Sequence, residues 1–229
     1  MRLPQRDIHS HLLPGVDDGF RSMESTLRAI HALSEAGCRD LVLTPHMNPD
    51  VYPDMTENDF RRVYGELLPQ IPEAWGVTTA LAAEYMVVKD FEQRAAHPEN
   101  LLTYNDGSIL IEMSYYFRST NLEDTLFNLK LAGLRPILAH PERYLYMADE
   151  LPTFDNWHDM GCRFQMNLLS LTGAYGPASM RILKYLLAKG WYDFVATDLH
   201  SLEQLNRINE VKPKGWRLRH ACGKHSFPH

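Results

Sequence analysis

The chain has 229 residues, a length that suits a single α/β barrel domain of about 200–250 residues. Its 23 Lys and Arg stand against 29 Asp and Glu, and the net charge of −6 removes the basic footprint of a nucleic-acid or anionic-membrane binder. Hydrophobic residues at 45% and charged residues at 23% exclude a disordered chain, and no apolar run approaches the roughly 18 residues of a membrane span. Short apolar runs then alternate with longer amphipathic ones. Strands are predicted at 6–9, 40–44, 78–85, 108–113, 135–139, 163–167 and 193–197, rich in Val, Ile, Leu and Phe as strands covered on both faces are. Between them, Ser22 caps a helix over 23–36 that stops at Gly37. Thr56, with Asp59 three residues on, opens another that runs to about Leu68. Further helices are predicted at 121–131, before Gly133, and at 178–188, before Gly190, with weaker patterns at 89–96 and 154–160. No linker, repeat or low-complexity tract interrupts the series, so residues 1–229 read as one domain. The alternation implies a parallel sheet, open or closed, and a closed but irregular barrel is expected because polar residues at the strand ends point to one centre.

Those ends carry the chemistry. The first strand runs into His9 and His11, followed by Asp17-Asp18-Gly19. The second leads to His46, the third to Glu84, the fourth to Glu112, the fifth to His140, and the seventh to Asp198 and His200. Active sites of α/β barrels collect at the carboxyl ends of strands. Residues i and i+2 of an extended segment share a face, so His9 with His11, and Asp198 with His200, can each grip one ion. Mixed imidazole and carboxylate ligands suit Mn, Fe or Zn. Nine ligands exceed what one ion takes, which is about four to six, and so suggest two or three ions with bridging carboxylates. Three divalent ions against four carboxylates and a hydroxide leave about +1, which favours an anionic substrate such as a phosphate dianion. Asp17 reads as a turn residue, and Glu142 as pointing away from the site or pairing locally. His31, His97, His158, His220, His225 and His229 read as surface residues.

The segment Asp-Ile-His-Ser-His-Leu-Leu-Pro-Gly-Val-Asp-Asp-Gly at 7–19 resembles the opening signature of the PHP (polymerase and histidinol phosphatase) superfamily. It is followed in order by Thr-Pro-His (44–46), Ala-Glu-Tyr (83–85), Ile-Glu-Met-Ser (111–114), Ala-His-Pro-Glu-Arg-Tyr (139–144) and Thr-Asp-Leu-His (197–200). Over residues 6 to 205 the chain is similar to the manganese-dependent protein-tyrosine phosphatases of bacterial capsule and exopolysaccharide loci. The resemblance implies a distorted (β/α)7 barrel, TIM-barrel-like, with three metal ions, Mn2+ foremost and Fe or Zn as alternatives. By position His9, His11, Glu84 and Asp198 would hold the first ion, Glu84, Glu112 and His140 the second, and Asp18, His46 and His200 the third. Arg143 would be the phosphate-binding arginine. A second arginine that the family often carries after the last Asp-x-His is missing, and Arg207 could replace it only if its loop shifts. The tail from Arg217 to His229 is unlike the helical end of that family.

The implied activity is hydrolysis of phosphotyrosine in a protein partner, a bacterial tyrosine kinase of polysaccharide synthesis. A metal-bridging hydroxide would attack phosphorus while Arg143 holds the equatorial oxygens. Loss of His200 would remove an ion and with it that nucleophile, so His200 and Arg143 are the expected catalytic pair. Arg143 has a competing reading as an ion pair with Glu142. Tyr144, Tyr115, Tyr116 and Phe117 either line a slot for the substrate ring or pack as an ordinary rim. Thiol chemistry is excluded, because Cys-x5-Arg is needed and Thr44, Leu168 and Pro228 stand six residues after Cys38, Cys162 and Cys222. Three unevenly spaced cysteines form no disulfide framework, and residues 1–14 are too polar for a signal peptide, so a reducing cytoplasm is expected. The alternative activity is a small-molecule phosphomonoesterase of histidinol-phosphatase type. The oligomeric state is open.

Overall fold

Local rules in the sequence set the helices. In the computed structural model, which describes residues 3–88, 91–119 and 121–210, Ser22 and Ser25 form a capping box at the start of α1 (Met23–Glu35). Thr56 and Asp59 do the same for α2 (Glu57–Leu67). The weaker patterns become α3 (Phe91–Ala95) and α5 (Pro152–Asp159), either side of α4 (Leu122–Leu131) in the order of the chain. Helix α6 (Gly176–Lys189) starts two residues earlier than expected, with Pro177 in its first turn, and stops at Gly190. That glycine has φ of 70°, a left-handed conformation at no steric cost to a residue without Cβ. Helix α7 (Leu202–Glu210) closes the described chain. The expectations for residues 89 and 90, and for the tail 217–229 with His220, Cys222, His225 and His229, lie outside the described residues. Among the described residues no helix is long and apolar enough to cross a membrane.

The strands are β1 (Arg6–Ser10), β2 (Asp40–Leu43), β3 (His46–Met47), β4 (Thr78–Leu81), β5 (Glu84–Met86), β6 (Ser108–Glu112), β7 (Arg135–Ala139), β8 (Arg163–Asn167) and β9 (Tyr192–Ala196). All ladders are parallel. They form a three-stranded sheet in the order β1-β2-β4 and a six-stranded sheet in the order β3-β5-β6-β7-β8-β9. This corrects the expected strand count: the predicted strand 78–85 is split into β4 and β5, and the two-residue β3 is added after the predicted strand 40–44. Pro45 supplies no N–H between β2 and β3, and Ala82 and Ala83 turn away between β4 and β5, donating to Leu43 O and Leu102 O. At the carboxyl ends the two sheets still meet. The Asp198 amide donates to His9 O at 2.9 Å and the His11 amide to Leu199 O at 3.0 Å.

Side chains divide into two cores. Ile8, Val42, Ala82, Tyr104, Leu110, Ile137, Ala139, Phe194 and Ala196 form a small cluster drawn from both sheets. A larger one, with Ile30, Leu33, Phe60, Trp157 and Ile182, lies between strands and helices. Strands buried on both faces explain their continuous apolar runs. Asp7 is wholly buried in β1, where Thr197 donates to it from both backbone and side chain. It ties the first strand to the segment after the last.

Candidate metal centre and phosphate site

Every strand-end acid and histidine singled out in the sequence lies in one cluster. His9 Nε2 stands 3.3 Å from both Glu84 Oε2 and Asp198 Oδ1, and His11 Nε2 stands 3.4 and 3.3 Å from the same two oxygens. His46 Nδ1 lies 3.0 Å from Glu84 Oε2 and 2.8 Å from Glu112 Oε1. Asp18 Oδ1 is 3.5 Å from the Nε2 atoms of both His46 and His200. His140 Nε2 reaches Glu84 Oε1 at 3.0 Å. Three groups could each hold an ion: His9, His11, Glu84 and Asp198; His11, Asp18, His46 and His200; and His46, Glu84 and Glu112. His140 touches the last of these through Glu84.

Four observations fit metal ions. Ligands about 2.0–2.3 Å from a shared ion stand about 3–3.5 Å apart, the spacing found here. Glu84 Oε2, Glu112 Oε2 and Asp198 Oδ1 are buried with no hydrogen-bond partner among the described residues, although histidine nitrogens surround Glu84 Oε2 and Asp198 Oδ1. A cation satisfies such oxygens where a misaligned donor does not. His9 Nδ1 donates to Gln165 Oε1 at 2.9 Å and His11 Nδ1 to Asp17 Oδ2 at 2.8 Å. Both neutral rings then aim a lone pair from Nε2, and those atoms are 3.2 Å apart. Two such lone pairs this close can converge on one cation. Finally, the backbone is left-handed at His140 (φ 33°) and Asp198 (φ 50°), strain that concentrates where side chains must be aimed.

Charge supports the same reading. Burial pulls the His9 imidazole down, but the Glu84 and Asp198 carboxylates outweigh it and hold the ring above its usual pKa. Burial would raise Glu84, yet His9 and His46 bring it well below the carboxylate range. Asp198 is likewise low, and Asp18 is held low by its bond to His200. The cluster therefore keeps Glu84, Asp198 and Asp18 ionised and attracts cations, with protons as competitors.

Around this cluster the sequence reading needs correction. Tyr144 does not line the site: it is buried, its hydroxyl donates to Ala139 O and accepts from the Met113 amide, and no surface is left for a substrate. Arg207 is not brought round. Helix α7 buries Leu205 and Ile208, which turns Arg207 to the exposed side. Arg143 does not pair with Glu142. Its Nη1 donates to Asp198 Oδ2 at 2.8 Å. Glu142 is buried and accepts from the Asn167 amide, Ser170 Oγ and Tyr192 Oη. Tyr115, Tyr116 and Phe117 do line a cleft of about 1020 Å³ that reaches Asp18, His46 and Glu112. Among them Tyr116 is 90% exposed. His31 and His97 are exposed, and His158 stacks on Trp191. Cys38 and Cys162 are buried, and burial pushes the Cys162 thiol up to about 12, so neither is a nucleophile.

Sequence reasoning missed four residues. Asp17 accepts from His11 Nδ1, from the His46 amide and from the Gly19 amide. Gly19 lets this turn close, because a Cβ there would lie 2.2 Å from His11 O. Gln165 and Asn167 point to one side of β8, Gln165 onto His9 and Asn167 Nδ2 onto Asp198 Oδ2 at 2.7 Å. Their signal was present: two amides at i and i+2 in a fully covered strand, the one strand without a terminal ligand. Tyr175, before α6, covers one face of Arg143, and nothing in its neighbours announces that.

The family described as capsular polysaccharide synthesis, CpsB/CapC, matches residues 5–219. The tyrosine-protein phosphatase YwqE of Bacillus subtilis is 28% identical over 202 residues, 87% of this chain and 79% of that one. The tyrosine-protein phosphatase CpsB of Streptococcus pneumoniae is 26% identical over 209 residues, 86% and 83% of the two chains. A crystal structure from work on these two proteins, described as unique metal-dependent tyrosine phosphatases, superposes with a TM-score of 0.73 at 27% identity, covering 93% of this chain and 88% of that one. A lactonase from Listeria monocytogenes, 10% identical with a TM-score of 0.52 over 87% of this chain and 78% of its own, shares the fold alone. With its family signature spread over nearly its whole length, this chain belongs to the CpsB/CapC family of capsular polysaccharide synthesis.

Proposed function

We propose that the chain is a metal-dependent protein-tyrosine phosphatase of capsular or exopolysaccharide synthesis. The observation that carries this is the convergence of eight potential ligand side chains, with His140 against Glu84 as a ninth, on a strand-end cluster with an arginine one carboxylate away. In this reading the two sheets close as one distorted seven-unit barrel, supported by the hydrogen bonds between residues 9–11 and 198–199. Three divalent ions, Mn2+ first among them, would be held by His9, His11, Asp18, His46, Glu84, Glu112, His140, Asp198 and His200. When bound, such ions supply hydroxide at neutral pH and neutralise phosphoryl charge. Asp17 and Gln165 orient His11 and His9, Asn167 orients Asp198, and Arg143 offers a planar fork to the phosphoryl oxygens. The leaving phenol, with a pKa of about 10, departs without a strong acid. The open cleft with its exposed aromatic rim suits a side chain carried on a protein better than a small polyol phosphate. The partner is then a phosphotyrosyl protein, in this setting a bacterial tyrosine kinase, and the setting a reducing cytoplasm.

Phosphotyrosyl-peptide hydrolysis is expected to need Mn2+ or a similar ion, to cease with chelator, and to survive Cys38→Ser, Cys162→Ser and Cys222→Ser together. Loss of turnover in the triple variant with metals still bound would mean thiol chemistry. Faster turnover of amino-alcohol phosphates than of phosphopeptides would assign a small-molecule phosphatase.

A further inference from the structure

The Arg143 guanidinium lies between two tyrosine rings, 4.3 Å from the Tyr115 centroid and 4.7 Å from that of Tyr175. The rings come from distant segments, one after β6 and one before α6. A guanidinium carries its five N–H donors in its plane and none on its faces. Ring contacts of this kind use none of those donors, so they restrict the guanidinium while leaving its N–H groups available. Within that plane Nη1 donates to Asp198 Oδ2, which also accepts from Asn167 Nδ2. Asn167 Nδ2 in turn lies 3.4 Å from Tyr175 Oη, so ring, amide and carboxylate brace one another. The bond to Asp198 uses one donor, and the fork keeps others for a second anion.

We propose that Tyr115 and Tyr175 form an aromatic slot that presents Arg143 edge-on to a phosphoryl group, with Tyr175 a positioning residue that does not itself touch phosphate. This rests on the phosphatase reading above. A free arginine samples many rotamers and must be ordered by the arriving ligand, at a cost to affinity. In the slot that ordering is already done, by cation–π contact with two rings. Tyr175 is the cleaner of the two to test, because Tyr115 Oη also stands 3.4 Å from His140 Nε2 and so touches the metal cluster.

The test uses the Mn2+-loaded full chain with Tyr175→Leu, the similarly sized Tyr175→Met, Tyr175→Phe, Arg143→Ala and the double variant Arg143→Ala/Tyr175→Leu. Metal content, the Kd of inorganic phosphate by calorimetry, and kcat and KM for a phosphotyrosyl peptide are measured. Tyr175→Leu and Tyr175→Met are expected to weaken phosphate binding about five- to tenfold. KM should rise more than kcat falls, and metal content should stay unchanged. Tyr175→Phe, which keeps the ring face, should restore most of the affinity. In the Arg143→Ala background Tyr175→Leu should add nothing, because the slot then holds no arginine. The proposal is overturned if both aliphatic variants stay within twofold, if the same factor is lost without Arg143, or if the variants lose metal. A wild-type chain that binds phosphate through Arg143 and Tyr175 yet hydrolyses no phosphomonoester would uphold the slot and sink the phosphatase reading instead.

Discussion

Asp17 and Asp18 are adjacent, and their surroundings give them different work. Asp18 has a side chain 63% exposed and faces the Nε2 atoms of His46 and His200, whereas the Asp17 carboxylate is buried against His11 Nδ1. Asp17→Asn keeps the shape but presents an amide that can donate to His11 Nδ1. The proton then moves to Nε2, the nitrogen aimed at the cluster. Second-sphere changes of this kind cost about 10–100-fold in metal affinity. Equilibrium dialysis against Mn2+ should show that loss in a variant with an unchanged far-ultraviolet spectrum; undiminished affinity would make Asp17 a turn residue only. The ligands themselves were legible because strand ends and i, i+2 spacing select them. Their orienting partners were not, since which ring nitrogen a carboxylate meets depends on the fold of the 12–20 turn. Tyr144 shows the converse. It sits beside Arg143 in sequence, but its hydroxyl is tied to Met113 and Ala139 in the interior while Arg143 reaches Asp198.

Between elements, single side chains act as braces. The Tyr144 hydroxyl joins the residue after β6 to the last residue of β7, accepting from the Met113 amide and donating to Ala139 O, both at 3.0 Å. Tyr144→Phe leaves those buried bonds unmade and should destabilise the chain by about 1–3 kcal/mol, read as a lower urea midpoint; an unchanged midpoint would deny the brace. Glu123 of α4 accepts from Trp157 Nε1 of α5 and from Arg118 of the cleft loop. Burial would raise its pKa, but these donors outweigh burial and hold it below the usual 4.5. A lowered folded pKa contributes stability above the unfolded value that is lost as pH falls through the folded one. Glu123→Gln should therefore cost about 1 kcal/mol at pH 7, discounted for its exposure, and progressively less below pH 4.5. Equal costs at neutral pH and at about pH 3.5 would show that charge plays no part. Element starts at Ser22 and Thr56 were legible from side-chain chemistry within four residues. The break in the predicted strand 78–85 was not, because Ala82 and Ala83 change hydrogen-bond partners for reasons that lie in segments 43 and 102.

The molecule as a whole buries polar side chains where the carboxyl ends of its two sheets meet. His9, His11, Glu84, Glu112, His140 and Asp198 are at most 1% exposed, and orphaned carboxylate oxygens sit among them. Burying such groups without compensation is costly, so the fold and its ligand are thermodynamically linked. The same linkage explains why the strand order was readable only in outline: alternation of strands and helices is written in local pattern, while the meeting of β1 with the segment after β9 is held partly by Asp7 and partly by the shared cluster. Anything bound by the folded chain alone stabilises it, by about 2.7 kcal/mol for one site at 100 times its Kd. For a chain of this size about 2–4 °C in Tm follows from each kcal/mol, so saturating Mn2+ should raise Tm by about 5–10 °C over chelator-treated protein. The rise should shrink as pH falls towards about 5, because protons take the imidazole nitrogens that the ions need. Asp198→Asn should blunt the rise while leaving the Tm of chelated protein similar or higher, since it removes one of the buried negative charges that the ions neutralise; His9→Gln should blunt the rise by removing a ligand nitrogen. Calorimetric scans with Mn2+, with chelator and with both variants decide it. Coincident transitions in the first two would mean that the cluster is held by protons and hydrogen bonds alone, and the metal-centred chemistry would fall with that result.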